Sequence, residues 1–187
     1  MKRFFIAVFT LLGFVVAQAQ NARVEKDIIG VQVGLFGANA YNEHKLSDAV
    51  ALRSQLSLHG GFWTGTMYEK TGFLLIPAAS LEGKWYYGLN RRVKKGKNTK
   101  NNSGNYFSLR AEYFPNWFII SNYNDITNND NSISIMPTFG IRRSFGRNFN
   151  YEFNVGYGYS QTLGKNPNSK GGAFSLSFKI GYDFFKR

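Results

Sequence analysis

The 187-residue sequence contains no cysteine, only four prolines and only two histidines. The absence of cysteine excludes disulfides, thiolate catalysis and an N-terminal lipid-modified cysteine. The histidines, His44 and His59, are far apart in the sequence, and without cysteine they do not form a credible metal site. We therefore expect neither a bound metal nor a cofactor.

The sequence also lacks a long apolar run beyond its leader, where a spanning helix would need about 20 apolar residues. Within the leader, a basic pair at residues 2–3 precedes an apolar run over residues 4–16. Residues 17–19 then have the small-x-small pattern of a signal peptidase site. We predict a cleaved export signal over residues 1–19, with an uncleaved helix as the alternative, and one domain over residues 20–187. Any membrane insertion of that domain would have to use strands.

Several segments alternate between apolar and polar residues with a period of two, which indicates β-strands. Every odd position from Phe149 to Tyr159 is aromatic or aliphatic, and so is every even position from Phe174 to Phe184. The opposite face of each segment carries the polar and charged residues. An apolar face this rich in aromatics, backed by a polar face with ions, suits a wall between hydrocarbon and a wet interior.

The alternation predicts seven strands, at residues 28–38, 48–62, 73–87, 105–114, 132–144, 148–160 and 171–185. Single-chain bacterial barrels use an even number of strands, so an eighth is expected. It lies either at residues 117–123 or, if residues 105–123 form one long strand, elsewhere. Pro77 and Pro137 fall inside predicted strands and should cause a bulge or a local break there. The predicted fold is all-β: a transmembrane, antiparallel, up-and-down β-barrel with eight strands favoured.

The same alternation assigns nine charged residues to the inner face of the strands. The cations are Arg53, Lys84, Arg110, Arg142 and Lys179, and the anions are Glu82, Glu112, Glu152 and Asp183. Five against four is near balance, although the whole chain has a formal charge of +12. Buried ions are tolerable only when they are paired or hydrated, and side chains can fill a barrel of about eight strands. We predict a lumen plugged by an ion-pair network. The alternative is a secreted, soluble β-sandwich, which would have to bury every apolar row in one core.

The excess positive charge lies mainly between residues 91 and 100. Six of these ten residues are basic: Arg91, Arg92, Lys94, Lys95, Lys97 and Lys100. If this segment faces outward, it could bind the phosphates of lipopolysaccharide. If it faces the periplasm, it is a solvated turn. A soluble nucleic-acid binder could have a similar charge, but the predicted export argues against that class.

The remaining candidate for chemistry is His59 with Ser57, because histidine can activate a serine hydroxyl. Both residues are predicted to point inward, and no acidic residue stands beside His59 in the sequence. We therefore expect His59 to be a polar residue of the lumen and predict no catalytic residue.

Two segments carry a resemblance to known proteins. Residues 82–87, Glu-Gly-Lys-Trp-Tyr-Tyr, followed by residues 103–109, resemble a recurrent hairpin of uncharacterised outer membrane β-barrel domain proteins. Residues 179–185 resemble the C-terminal polar-x-Gly-x-x-aromatic signal of outer-membrane barrels, although Lys186 takes the place of the usual final aromatic residue. Over nearly all of residues 28–185, the chain is similar to the small outer-membrane barrels of Gram-negative bacteria, of the outer-membrane protein A and X types.

This resemblance implies an outer-membrane location, insertion by the barrel-insertion machinery and a monomeric state, but it does not fix an activity. We expect a non-enzymatic barrel with a plugged, salt-bridged lumen and a structural or surface-interaction role. A porin-like, narrow pore for small solutes is the second hypothesis, and a lipid-modifying envelope enzyme is the third. The expected partners are outer-membrane lipid, including the phosphates of lipopolysaccharide, and the insertion machinery, but not nucleic acid.

The inside and outside faces can be tested with neighbouring substitutions. We expect Ile135→Arg to impair membrane insertion by about 2–4 kcal/mol, because it places a cation in hydrocarbon. Ser134→Arg should be better tolerated, because that residue points into the polar interior. Folding of both variants into lipid vesicles measures the difference, and equal effects would contradict the assignment of faces.

Overall fold

A computed structural model describes residues 22–63, 71–123, 130–164 and 170–187. The predicted export signal over residues 1–19 lies outside these ranges. None of the helices in the described ranges is both long and apolar enough to cross a bilayer.

The described residues are mostly in strands. The nine strands are β1 (Asp27–Gly34), β2 (Gly37–Lys45), β3 (Val50–Trp63), β4 (Gly72–Trp85), β5 (Asn105–Phe114), β6 (Ile120–Ser121), β7 (Asn131–Phe145), β8 (Phe149–Leu163) and β9 (Lys170–Lys186). A six-residue helix, α1 (Leu89–Lys94), and a 3-10 turn (Lys100–Asn102) lie between β4 and β5.

The strands form one antiparallel sheet that closes in a ring. Each long strand pairs with the next long strand along the chain, and β1 pairs with β9. The two-residue strand β6 pairs only with β4, at Leu74 and Leu75. The all-β class and the antiparallel pairing are confirmed. The count of eight is not, because the described residues form nine strands.

The prediction differs from the structure at two strands. The strand predicted at residues 117–123 is reduced to Ile120–Ser121, and β2 was not predicted as a strand at all. The reason lies in its outward face, which carries Ala38, Ala40 and other small or polar residues instead of large apolar ones. Without an aromatic or aliphatic row, the period of two in β2 is hard to recognise from the sequence.

The expected local breaks occur at both prolines. On the β5 side of β4, pairing stops at Ala79 and resumes only at Leu75, so Pro77 lies where no partner is needed. Between β7 and β8, the pairs on either side of Pro137 keep the same register while the intervening pairs are missing. One ladder is therefore interrupted at each proline, and the strands keep their register across the interruption at Pro137.

The two faces of the ring differ sharply in polarity. Outward-facing Leu109 and Leu176 are 56% and 54% exposed. Inward-facing Arg142 and Glu152 are 0% and 1% exposed. Among the described residues the buried side chains are mostly polar or charged, which reverses the usual distribution of a soluble protein.

The ring has two distinct ends. At the chain-end side, Asp27 and Arg187 exchange backbone hydrogen bonds of 3.0 and 2.9 Å. Because neighbouring strands are antiparallel, the connections alternate between this side and the opposite one, the loop side. The chain-end side holds the connections at residues 46–49, 86–104 and 146–148, and the loop side holds the turn at residues 35–36 and the ends of β3, β5 and β8.

Inward-facing glycines make room for the large polar side chains of the interior. Gly140 is the register partner of Tyr106, and a Cβ at Gly140 would lie 2.1 Å from Cζ of Tyr106. The tyrosine hydroxyl donates a hydrogen bond to Glu152. The absence of a side chain at Gly140 therefore fixes the position of the Tyr106 ring.

We predict that Gly140→Val displaces Tyr106, breaks its hydrogen bond to Glu152 and lowers the free energy of unfolding by about 1–3 kcal/mol. Gly83→Val is the control, because a Cβ at Gly83 meets no atom within 4 Å. Urea unfolding in micelles measures both variants. A control that loses as much stability as Gly140→Val would contradict the packing argument.

Candidate functional site

Six fully buried ionised side chains meet inside the ring and form what we term the charge cluster. They come from six different strands and are Glu43, Arg53, Lys84, Arg142, Glu152 and Asp183. Three are cations and three are anions, so the cluster carries no net charge in its ionised state. Each is at most 2% exposed. Charges this deeply buried persist only when each has close partners of opposite sign and further hydrogen bonds.

Glu152 on β8 lies at the centre of the charge cluster. Its Oε1 accepts a hydrogen bond from Lys84 Nζ at 2.8 Å and another from the Tyr106 hydroxyl. Its Oε2 lies 3.0 Å from Arg53 Nη2 and 3.2 Å from Arg142 Nη1. One carboxylate therefore contacts all three cations, which would otherwise repel one another.

Arg142 on β7 uses every part of its guanidinium. Besides Glu152, its Nη2 donates to Asp183 Oδ1 at 2.9 Å and to the Tyr41 hydroxyl at 2.8 Å. Its Nε donates to the backbone carbonyl of Asn101 at 2.9 Å. This geometry uses the planar fork of arginine, which lysine could not reproduce.

Glu43 on β2 is the member that the sequence analysis missed. Its Oε2 lies 2.7 Å from Arg53 Nη2, and its Oε1 accepts hydrogen bonds from the Tyr86 hydroxyl at 2.7 Å and Asn102 Nδ2 at 2.6 Å. The missed strand explains the missed residue. With Glu43 included, the inward-facing cations and anions balance at five against five.

The connection at residues 86–104 folds against the chain-end side of the ring and reaches the charge cluster. Asn101 and Asn102 have left-handed backbone conformations, with φ of 52° and 57°, and both are buried. Asparagine adopts this region more readily than most residues do. The Glu25 N–H donates to Asn102 Oδ1 at 2.7 Å, which ties the chain start to the same segment. The cluster is thus covered from this side.

The other predicted inward residues lie nearer the loop side and are paired less closely. Glu112 Oε1 lies within hydrogen-bond distance of His59 Nε2, at 2.9 Å. Arg110 Nε is 3.9 Å from Glu82 Oε1. Lys179 makes no ion pair within 4.0 Å in the described part of the chain. The structure therefore brings five of the nine predicted residues together with Glu43 in the charge cluster. It leaves the other four, Glu82, Arg110, Glu112 and Lys179, outside that cluster.

The basic segment of residues 91–100 lies at the chain-end side and does not contact the charge cluster with its cationic groups. Its side chains are mostly exposed, and Arg92 Nη2 donates to the Asn98 carbonyl at 2.8 Å. The first part of this segment lies in α1. A helix this short offers no anion site of its own, so any binding would come from the lysine and arginine side chains.

Glu112 supplies the acid that the sequence did not place beside His59. The Ser57 hydroxyl, however, accepts a hydrogen bond from Gln55 Nε2 at 2.8 Å and has no hydrogen bond to His59 in the described structure. A serine nucleophile needs such a bond to its base. Over the described ranges, no group of three or more histidine, cysteine or acidic residues could hold a metal ion.

Comparison with known proteins gives no family assignment. No protein-family profile matches the chain, and neither the curated proteins nor the solved structures contain a significant match.

We predict that Glu152→Gln lowers the free energy of unfolding by about 3–5 kcal/mol, because it leaves three buried cations with only two carboxylates, Glu43 and Asp183. Glu112→Gln is the matched control, because it also replaces a buried carboxylate but removes one close pair, with His59, instead of three, so we expect a smaller loss. Urea unfolding of both variants in micelles makes the comparison. Similar losses would contradict the central role of Glu152.

Proposed function

We propose that this chain is a non-enzymatic, monomeric outer-membrane β-barrel with a closed lumen and a structural or surface-interaction role. One observation carries the proposal: apolar side chains cover the outside of a closed ring, while its interior holds a buried ion network. A soluble protein rarely exposes apolar patches above about 300–600 Å². Hydrocarbon is the environment in which such an outer face is favourable.

The lengths of the strands support the same proposal. Transmembrane strands need about 9–11 residues when tilted, and β7, β8 and β9 have 15, 15 and 17 residues. The outward cation Arg143 lies near the chain-end side of β7 and donates a hydrogen bond to Asn105 Oδ1 at 2.6 Å. At that depth a cation costs about 0–1 kcal/mol.

The proposed orientation places the chain-end side in the periplasm, as is usual for outer-membrane barrels. The basic segment of residues 91–100 would then also be periplasmic. This position does not favour the hypothesis that it binds lipopolysaccharide, which occupies the opposite leaflet. It favours the alternative of a solvated connection, beside the phosphates of the inner leaflet.

The charge cluster is the reason to favour a closed lumen over a narrow pore. Conduction past Glu152 would require its ion pairs with Arg53, Lys84 and Arg142 to separate within a dry interior, at a cost of several kcal/mol. Single-channel recording in planar bilayers separates the two hypotheses. A large, steady conductance would contradict the closed lumen and support the pore.

An envelope enzyme is supported less well. The pair of His59 and Glu112 could orient a base, but the hydroxyl of Ser57 is committed to Gln55. Unchanged lipid A in cells that overexpress the protein would agree with a non-enzymatic role, and a new deacylated species would contradict it.

The decisive test measures how the loss of stability caused by a cation on the outer face depends on its depth along the strand. Leu109 is a central residue of β5, Leu163 is the last residue of β8, and both are exposed. In phosphatidylcholine vesicles we expect Leu109→Arg to lower the free energy of unfolding by about 2–4 kcal/mol and Leu163→Arg to lower it by about 0–1 kcal/mol. Urea titration of the vesicle-folded protein measures both.

Equal costs at the two positions would contradict a bilayer around the ring. So would recovery of residues 20–187 in detergent-free buffer as a dissolved monomer with the same far-UV β-spectrum.

A further inference from the structure

The wall of the ring is incomplete beside the hairpin formed by β1 and β2. Pairing between β1 and β9 ends at Gly34 and Lys179, although β9 begins at Lys170. Residues 170–178 therefore pair with β8 alone within the described structure. On the other side of the hairpin, the Gly60 N–H still donates to the Phe36 carbonyl at 3.0 Å, and residues 61–63 of β3 pair only with β4 within the described structure. We call this low part of the wall the hairpin notch.

A notch in a membrane-embedded wall has a direct physical consequence. Backbone groups on a strand edge need hydrogen-bond partners, and hydrocarbon supplies none. Water or polar groups must therefore be able to reach the edge of β9 from the lumen or the surface. The notch is consequently a place where an amphiphile could keep its apolar part in lipid and its polar part in the interior.

A cavity of about 230 Å³ opens at the notch. Its wall includes the tip of the hairpin, with Phe36, and residues 175–179 of β9. The side chains of residues 175–179 alternate between the two faces of the sheet. The wall also includes His59 of β3 and Arg110 of β5, which point inward from other parts of the ring. The cavity thus joins apolar outer residues to polar inner ones.

The cations at this cavity lack the close partners that cations have in the charge cluster. Arg110 is 6% exposed, and its Nε is buried without any hydrogen bond. The nearest ion-pair contact of Arg110 is the one to Glu82 at 3.9 Å. In the charge cluster, by contrast, Lys84 has a carboxylate oxygen at 2.8 Å and Arg142 has one at 2.9 Å. Arg110 Nη2 donates a long hydrogen bond of 3.4 Å to Asn154 Oδ1. The cavity lining includes Arg110 and Lys179 and no acidic residue, so the cavity suits an anion.

We propose that the hairpin notch binds a long-chain anionic amphiphile, with its headgroup at Arg110 and Lys179 and its acyl chain in the lipid beside Leu176 and Phe178. The site rests on the proposed function, because it needs lipid outside the ring. Pockets that enclose a whole small molecule usually have about 300–1,000 Å³. A cavity of about 230 Å³ therefore holds a headgroup and the start of a chain. Either a carboxylate or a phosphate headgroup would satisfy the two cations.

Palmitate labelled with ¹³C at its carboxyl group tests this site by NMR, with the protein folded in phosphatidylcholine vesicles. We expect saturable binding to the wild-type protein and binding weakened about tenfold or more in Arg110→Gln and in Lys179→Gln, because each loses a charge-assisted hydrogen bond. Lys97→Gln is the matched control, because it removes one exposed positive charge at the chain-end side and should leave binding unchanged.

Competition by two other probes identifies the headgroup. Hexadecyl phosphate should displace palmitate, and stronger displacement by it would assign the site to phosphate headgroups. Hexadecanol has the same chain without the charge and should not compete. Equal competition by hexadecanol, or wild-type binding by both Arg110→Gln and Lys179→Gln, would overturn the proposal.

Protease protection of the same vesicle samples keeps the two proposals separable. A wild-type protein that does not insert overturns the proposed function together with this inference. A protein that inserts but shows no charge-dependent binding overturns the inference alone. If Arg110→Gln fails to insert, Lys179→Gln decides, because Lys179 has no close ion pair to lose.

Discussion

The interior of this protein depends on one carboxylate. Glu152 contacts Arg53, Lys84 and Arg142 within 3.2 Å, and no other anion in the described structure reaches all three. Without it, three buried cations from three strands would share only the carboxylates of Glu43 and Asp183. The outer face adds little to the choice of one arrangement, because contacts between apolar side chains are non-directional. The specific pairing inside the ring therefore selects the strand register.

Much of this arrangement can be predicted from the sequence, because a strand has a period of two. The rows of Phe149 to Tyr159 and Phe174 to Phe184 fix the two faces, and the faces in turn place Arg142 and Glu152 inside. The same reasoning fails at β2, where Ala38 and Ala40 give the outward face too little hydrophobicity to be recognised. Because β2 was missed, Glu43 was missed with it. The predicted inner face therefore had five cations against four anions, instead of five against five.

The contribution of the connection at residues 86–104 could not be predicted for a different reason. Its sequence is dominated by lysine and arginine, which suggested a solvated or anion-binding loop. The parts that matter for the interior are instead the neutral residues Asn101 and Asn102, through a backbone carbonyl and a side-chain amide. Such contacts depend on left-handed backbone conformations, which neither composition nor periodicity reveals. Charge in a sequence indicates where a segment is solvated, but not which of its atoms reach the interior.

The two halves of the interior differ in a way that bears on function. At the chain-end side, the charges are balanced, closely paired and covered by residues 86–104. Toward the loop side, Arg110 has only a distant ion pair, Lys179 has none within the described residues, and the wall itself is lower beside the β1–β2 hairpin. A closed ring that served only as a support would gain stability by pairing these cations as closely as the others. The contrast between a fully paired half and a partly paired half is what favours a ligand at the second, reached from the side and not through the charge cluster.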